Sequence, residues 1–380
     1  MKRLATVLGA CAFASGFGIR IVDPMVPLLS TEFAVSLGAT SLLVTAFSVA
    51  YAVGQPILGP LGDVIGKTKL IVACAGVVAL LLTACAFASS FAPLAVIRGI
   101  SGLAAGGIIP LAIATLSDSV SGLERQVALG RFLVASILGQ ALGAAVSGVV
   151  SEVFGWRAVF LLTGGLMTAA TAFALLTLPF GTTPRAGSQG SIFSQYGKIL
   201  SSPKAVALFV LVILAAVSAY GIFPFVAVIL ADRFGTGTYE AGLVLAGFGL
   251  GGVIYALTVR RIIGLLGPTR MSWAGGIGSG LGLAIFALPL PWMWNIASFT
   301  LLGISYFMLH NKFQTYATEL APGASGSAVS LFAFCIFAAQ GVGPLAVGGA
   351  LSVASVPAVL VLMGLTIAGV GVLAPRILRP

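Results

Sequence analysis

The side chains that could move a proton or hold a solute are few, and most stand inside long apolar stretches. Arg20 and Asp23 are three residues apart, neighbours on one face of a helix. Burial raises the proton affinity of a carboxylate and an adjacent guanidinium lowers it, so Arg20 could hold Asp23 ionised until the two separate. A permanent ion pair sealing the protein is the alternative. Arg98 leads a stripe at helical spacing with Gly102 and Gly106. His310, the only histidine, shares a helical face with Gln314, while Asn311 and Thr315 occupy the next. Its unperturbed pKa of about 6.5 suits proton exchange, although Lys312 beside it also fits a snorkelling contact near a membrane surface.

Conventional catalysis finds little support. Cys11, Cys74, Cys85 and Cys335 lie in apolar stretches without Cys-x-x-Cys spacing or neighbouring histidines, so metal and disulfide chemistry are not expected. No cofactor is expected either. The segment from Gly62 to Thr68 imitates a phosphate-binding loop, but that spacing requires glycine where Leu61 stands, and Asp63 would repel phosphate.

The elements that must position these groups follow from composition. Charged residues are 7% of the 380, and mean hydropathy is +1.14, too apolar for a water-soluble fold. A bilayer-spanning helix needs about 20 apolar residues. Twelve segments qualify, near 4–30, 39–60, 70–90, 92–116, 128–150, 156–178, 206–231, 240–259, 271–290, 292–317, 327–350 and 356–374. They are too long and too continuously apolar for barrel strands. The expected fold is an all-α polytopic membrane protein of twelve transmembrane helices, with glycines serving close helix packing. Lys2 and Arg3 followed by an apolar run to Cys11 imitate a cleaved signal, but a first transmembrane helix is the preferred reading.

Net charge is +10, yet its distribution argues for topology and not for nucleic-acid binding. With a cytoplasmic N-terminus, basic loop residues such as Lys67, Lys69, Arg125, Arg185 and Arg270 fall on the cytoplasmic side, and only Arg157 and Arg233 fall opposite. Both termini are therefore expected in the cytoplasm. Short connections fit a bacterial inner membrane.

Residues 1–178 and 206–380 each hold six segments, separated by a hydrophilic linker at 179–205 containing Pro184, Arg185, Gly187, Ser188 and Lys198. Gly66, Lys67, Thr68 and Lys69 are echoed by Gly267, Pro268, Thr269 and Arg270 at the corresponding place in the second half, as parallel repeats would require.

The pattern Gly59-x-Leu61-x-Asp63-x-x-Gly66-Lys67-x-Lys69 resembles the loop signature between the second and third helices of the major facilitator superfamily. Small residues there permit a tight turn, and Asp63 can face a helix N-terminus. The resemblance implies a cytoplasmic gate of Gly59, Asp63, Gly66, Lys67 and Asp118, with Lys67 paired to the acid ending the fourth helix. The Arg98, Gly102, Gly106 stripe, the Asp23-Pro24-Met-Val-Pro27 run and the Gly155-Trp156-Arg157-x-x-Phe160 start of the sixth helix are also similar to that superfamily. Gly139, Gly143 and Gly148 partly match its antiporter signature, with Ala144 in place of proline and Ser147 in place of glycine. Gly343, Pro344, Gly348 and Gly349 carry a stronger version at the corresponding repeat position.

The resemblance implies two six-helix bundles that rock about a central site, in a functional monomer embedded in the lipid bilayer. The expected activity is export of a small organic or drug-like solute in exchange for protons. Asp23, Arg20 and Arg98 would couple the proton. His310, Asn311, Gln314, Gln140 and Gln340 would line the solute cavity, and Gly102, Gly106, Gly139, Gly143, Gly343 and Pro344 would pack or hinge the helices. Uptake by symport or uniport of a nutrient or anion attracted by Arg20, Arg98 and Lys312 is the alternative. A polytopic membrane enzyme or a non-transporting receptor would be a different class.

Overall fold

The computed structural model describes residues 2–119, 122–178, 192–319 and 325–378. Residues 179–191 of the expected linker, with Pro184, Arg185, Gly187 and Ser188, lie outside them. The first span is α1 (Lys2–Arg20), a 3-10 turn (Asp23–Met25) and α2 (Val26–Glu32); α3 (Leu37–Ile65), α4 (Lys67–Cys85), α5 (Phe91–Ser119), α6 (Gly122–Phe154) and α7 (Trp156–Thr177) follow. After a short α8 (Ile192–Leu200) come α9 (Pro203–Tyr220), a second 3-10 turn (Phe223–Phe225), α10 (Val226–Phe234), α11 (Thr238–Ala287), α12 (Trp294–Glu319), α13 (Ser325–Leu351) and α14 (Val356–Ile377). Among the described residues ten helical stretches are long and apolar enough to cross a membrane. Counting both limbs of α11 and adding the more polar α12 gives the expected twelve spans. An even number of spans returns both chain ends to one face, here called the termini face.

Three expectations change. The first span is broken, because Pro24 cannot donate the backbone bond that a continuous helix needs. Residues 260–266 and 268–270 extend the flanking helices, so the expected loop shrinks to one residue: α11 is two helices meeting at Gly267, whose non-helical φ of 67° suits glycine, and Pro268 starts the second. The second half of the linker is also helical, since α8 lies within it and α9 begins at Pro203.

Local chemistry sets the other boundaries. Ser36 caps α3 by accepting the Ala39 N–H through its side chain at 3.1 Å. Gly66, at φ 106°, turns the chain directly into α4. Gly155, at φ 79°, does the same before Trp156.

Two large buried clusters form. One collects Val7 through Leu178. The other collects Ile199 through Leu378, with Ala144 added from the first half. Backbones approach closely wherever a side chain is missing. A Cβ on Gly102 would run into the carbonyl oxygen of Phe47, and one on Gly303 into that of Phe248, so α3 meets α5 as α11 meets α12.

Candidate transport site

The break in the first span puts Arg20 and Asp23 at the junction of the two clusters. Both are buried, and Arg20 Nη1 lies 3.4 Å from Asp23 Oδ2. The same guanidinium reaches across the junction: Nη2 donates to Oε1 of Gln340 in α13 at 2.6 Å. Its Cζ sits 4.6 Å from the ring centroid of Tyr220 and 4.9 Å from that of Phe223. Such contacts are each worth about 0.5–2 kcal/mol when desolvated.

The receiving rings belong to a break of the same design. The residues from Arg20 to Val26 and from Tyr220 to Val226 both run out of a long helix, through a Pro-containing 3-10 turn, into a short helix. Arg20 corresponds to Tyr220, Asp23 to Phe223 and Pro24 to Pro224. One break carries charge and the other carries rings that accept it. Sequence reading missed Tyr220 and Phe223; the matched Pro24 and Pro224 frames were the signal available.

Arg98 is wholly buried on α5. Its Nη1 donates to the Gly18 carbonyl at 3.3 Å, and its Cζ lies 4.1 Å from the Phe47 ring centroid. Arg98 Nε and Nη2 and Asp23 Oδ1 have no hydrogen-bond partner among the described residues. Through Gly18, two positions before Arg20, Arg98 is tied to the segment that carries Arg20 and Asp23.

The expected cavity residues divide into two groups. Gln340 is bonded to Arg20, and Gln140 lines with Arg20, Phe223, Leu245 and Phe248 a crevice of about 20 Å³. His310 stands elsewhere, its ring 5.1 Å from Phe332, 5.9 Å from Phe307 and 6.1 Å from Tyr306. Tyr306 in turn is 5.0 Å from Tyr220, so an aromatic chain links the groups. Asn311 accepts from Thr315 through its backbone, Lys312 lies over Tyr316 at 4.1 Å, and Gln314 is half-buried near the termini face.

At that face Lys67 Nζ is 2.6 Å from Asp118 Oδ2 and 3.4 Å from Asp63 Oδ1. The pairing expected from the sequence is therefore present. Gly59 plays no part in the turn: α3 stays helical through it, and a Cβ there would meet open space. In the second half Gly264 and Pro268 replace Asp63 and Lys67, so that joint has no counterpart of their ion pair.

The remaining glycines act by closeness. A Cβ on Gly106 would strike the Tyr51 carbonyl, one on Gly139 that of Phe13, and one on Gly143 that of Phe17. Gly343 packs on Gly221, while Pro344 lies within an uninterrupted α13.

Contacts between the halves gather toward the face opposite the termini. Ser151 donates to Thr238 at 3.1 Å, and the Tyr239 N–H donates to Glu152 at 2.9 Å. Thr45 donates to the Gly341 carbonyl at 2.7 Å, and Tyr51 stacks on Phe337 at 4.0 Å.

A family description of the Major Facilitator Superfamily matches residues 8–344. The chain belongs to that superfamily. Bacillus subtilis YceJ, named an uncharacterized MFS-type transporter, is 24% identical over 87% of this chain and 85% of its own. Proteus mirabilis MdtG, named a multidrug resistance protein, is 24% identical over 78% of this chain and 74% of its own. Some matches are partial: the chain spans 42% of the Buchnera aphidicola transporter BU588. The crystal structure of a point mutant of the nucleoside transporter NupG superposes with a TM-score of 0.79 over 99% of this chain and 100% of its own at 12% identity, a likeness of fold. This superfamily member is thus a multi-pass membrane protein of a transporter family.

Proposed function

We propose that the chain is a proton-coupled secondary transporter of a small organic solute, in which residues 1–178 and 206–380 rock about the junction held by Arg20. The carrying observation is the Arg20 contact set. One guanidinium binds Asp23 on its own half and Gln340, Tyr220 and Phe223 on the other. Parting the halves at the face opposite the termini separates Arg20 from its partners across the junction and leaves it to Asp23. Proton occupancy of Asp23 and the position of the halves are thereby linked.

The contacts opposite the termini describe a state closed on that side, which in the bacterial inner membrane would be the periplasmic side, with both termini cytoplasmic. The Lys67, Asp118 and Asp63 cluster ties α3, α4 and α5 together within the first half and is formed in this state too, so as part of the cytoplasmic gate it braces that end of the half. Likeness to MdtG supports export of a drug-like solute by proton exchange, in a monomer.

Cotransport of an anion is the second reading, favoured by the buried charge: Arg20 and Arg98 outnumber Asp23.

Reconstituted liposomes holding a pH gradient test the proposal. Solute-dependent collapse of the gradient, lost in Asp23→Asn, is the expected result. Solute flux without proton movement and indifferent to Asp23→Asn would refute the coupling role.

A further inference from the structure

Among the described residues, the charged side chains that are fully buried are Arg20, Arg98 and Asp23. Their sum is positive. A single unpaired charge at the centre of a bilayer costs about 2.5–3.5 kcal/mol even on lenient insertion scales. Asp23 neutralises one guanidinium at most. The rings of Phe47, Tyr220 and Phe223 favour the cations without cancelling their charge. Two guanidinium nitrogens of Arg98, Nε and Nη2, remain buried with no acceptor among the described residues.

What surrounds Arg20 narrows the complement further. Phe223 and Phe248 form a wall 5.1 Å apart between ring centroids, Tyr220 joins them, and Gln140 lines the same crevice. Planar rings would find faces and edges to stack on, and a negative group would find a guanidinium held at the wall's rim. The crevice of about 20 Å³ admits little more than a water-sized group, so the halves must part before a ring can enter.

We propose that the solute is an organic anion with a planar aromatic body, whose negative group is taken by Arg20 in the field of Arg98 while its ring stacks on Tyr220, Phe223 and Phe248. This rests on the reading of the Arg20 junction as the transport site, and it deepens the cotransport reading of that site in place of proton exchange.

The coupling sign follows from the groups facing Asp23. Arg20 comes from its own segment and Arg98 from α5. The 3-10 turn that carries Asp23 also packs against α2, α6, α10, α11 and the second 3-10 turn, and among the described residues none of these elements adds a buried charged side chain. Protonating Asp23 removes the only buried negative charge among the described residues and strengthens the hold on an anion; anion binding strengthens the hold on the proton to the same degree. Proton and anion therefore travel together.

Permanently charged probes keep passive leakage low. Proteoliposomes are offered benzene-, naphthalene- and indole-based compounds, each as sulfonate, neutral sulfonamide and trimethylammonium derivative, against protein-free liposomes. Sulfonate flux that carries protons in the same direction, and falls at least tenfold in Arg20→Gln with partial recovery in Arg20→Lys, is the expected result. Flux confined to the neutral or cationic members overturns the anion assignment and leaves transport at this junction standing. Binding of sulfonates with no flux, abolished by chloride, also overturns it by making the complement a fixed inorganic ion. If no compound moves or binds, the transport reading of the junction falls with it. Size-exclusion profiles matching the parent establish that the variants are folded.

Discussion

Arg20 and Gln340 are separated by 320 positions and meet at 2.6 Å, Nη2 donating to Oε1, in the one direct side-chain hydrogen bond that Arg20 makes across the junction of the described halves. A hydrogen bond to a charged group contributes about 1.5–3 kcal/mol. Gln340→Leu should therefore shift the closed-to-open ratio at the face opposite the termini by about tenfold or more. Ser151→Cys, buried against Thr238 in the closed state, provides the readout through its rate of thiol alkylation. The four native cysteines are buried, which keeps background labelling low. An unchanged rate would show that this bond does not hold the face shut.

At the opposite end, Lys67 is 24% exposed and Asp118 48%, so water screens their 2.6 Å pair. Coupling in a double-mutant cycle should be modest, about 0.3–1 kcal/mol. The exchanged pair, Lys67→Asp with Asp118→Lys, should recover part of the transport lost in either single variant. Asp63→Asn should weaken switching less than Asp118→Asn, because its contact to Lys67 is the longer one, 3.4 Å. Equal effects of Asp63→Asn and Asp118→Asn on gate accessibility would contradict this ranking.

Glycine substitutions separate packing from spacing. Gly102→Ala and Gly303→Ala should each destabilise the protein by about 1–3 kcal/mol, since the added methyl meets a backbone carbonyl. Gly59→Ala should cost far less than either, because its methyl meets nothing from other elements within 4 Å and is crowded only by the ring of Pro60 that follows it. Thermal unfolding in detergent measures all three. A loss in Gly59→Ala as large as in the other two would restore a conformational role to that position.

His310 packs among Tyr306, Phe307 and Phe332. His310→Phe should keep proton-coupled flux within about threefold of the parent, a change of less than about 1 kcal/mol. Loss of proton movement with retained solute flux would instead make His310 a proton carrier.

Much of this architecture was legible in the residues. Apolar length marked the spans, and the Asp63, Gly66, Lys67 pattern led to the Asp118 pair. Break and joint positions were harder. Pro24 was visible, but whether a helix bends or breaks depends on the neighbours that take up the freed backbone groups. At Gly267 the connection that read as a loop is a single residue, because its positive φ ends one helix and Pro268 begins the next at once. The aromatic wall was hidden for another reason. Tyr220, Phe223 and Phe248 look like ordinary core residues in an apolar chain, and only the packing of one repeat against the other gives them a guanidinium to hold.

The net positive charge buried at the junction also makes the protein an electrical device. A change in which face of the membrane reaches Arg20 moves part of an elementary charge through the transmembrane field, where a full charge is worth about 2.3 kcal/mol per 100 mV. Membrane potential would then bias the resting distribution between the two states before any solute arrives, and a bound anion would cancel that bias.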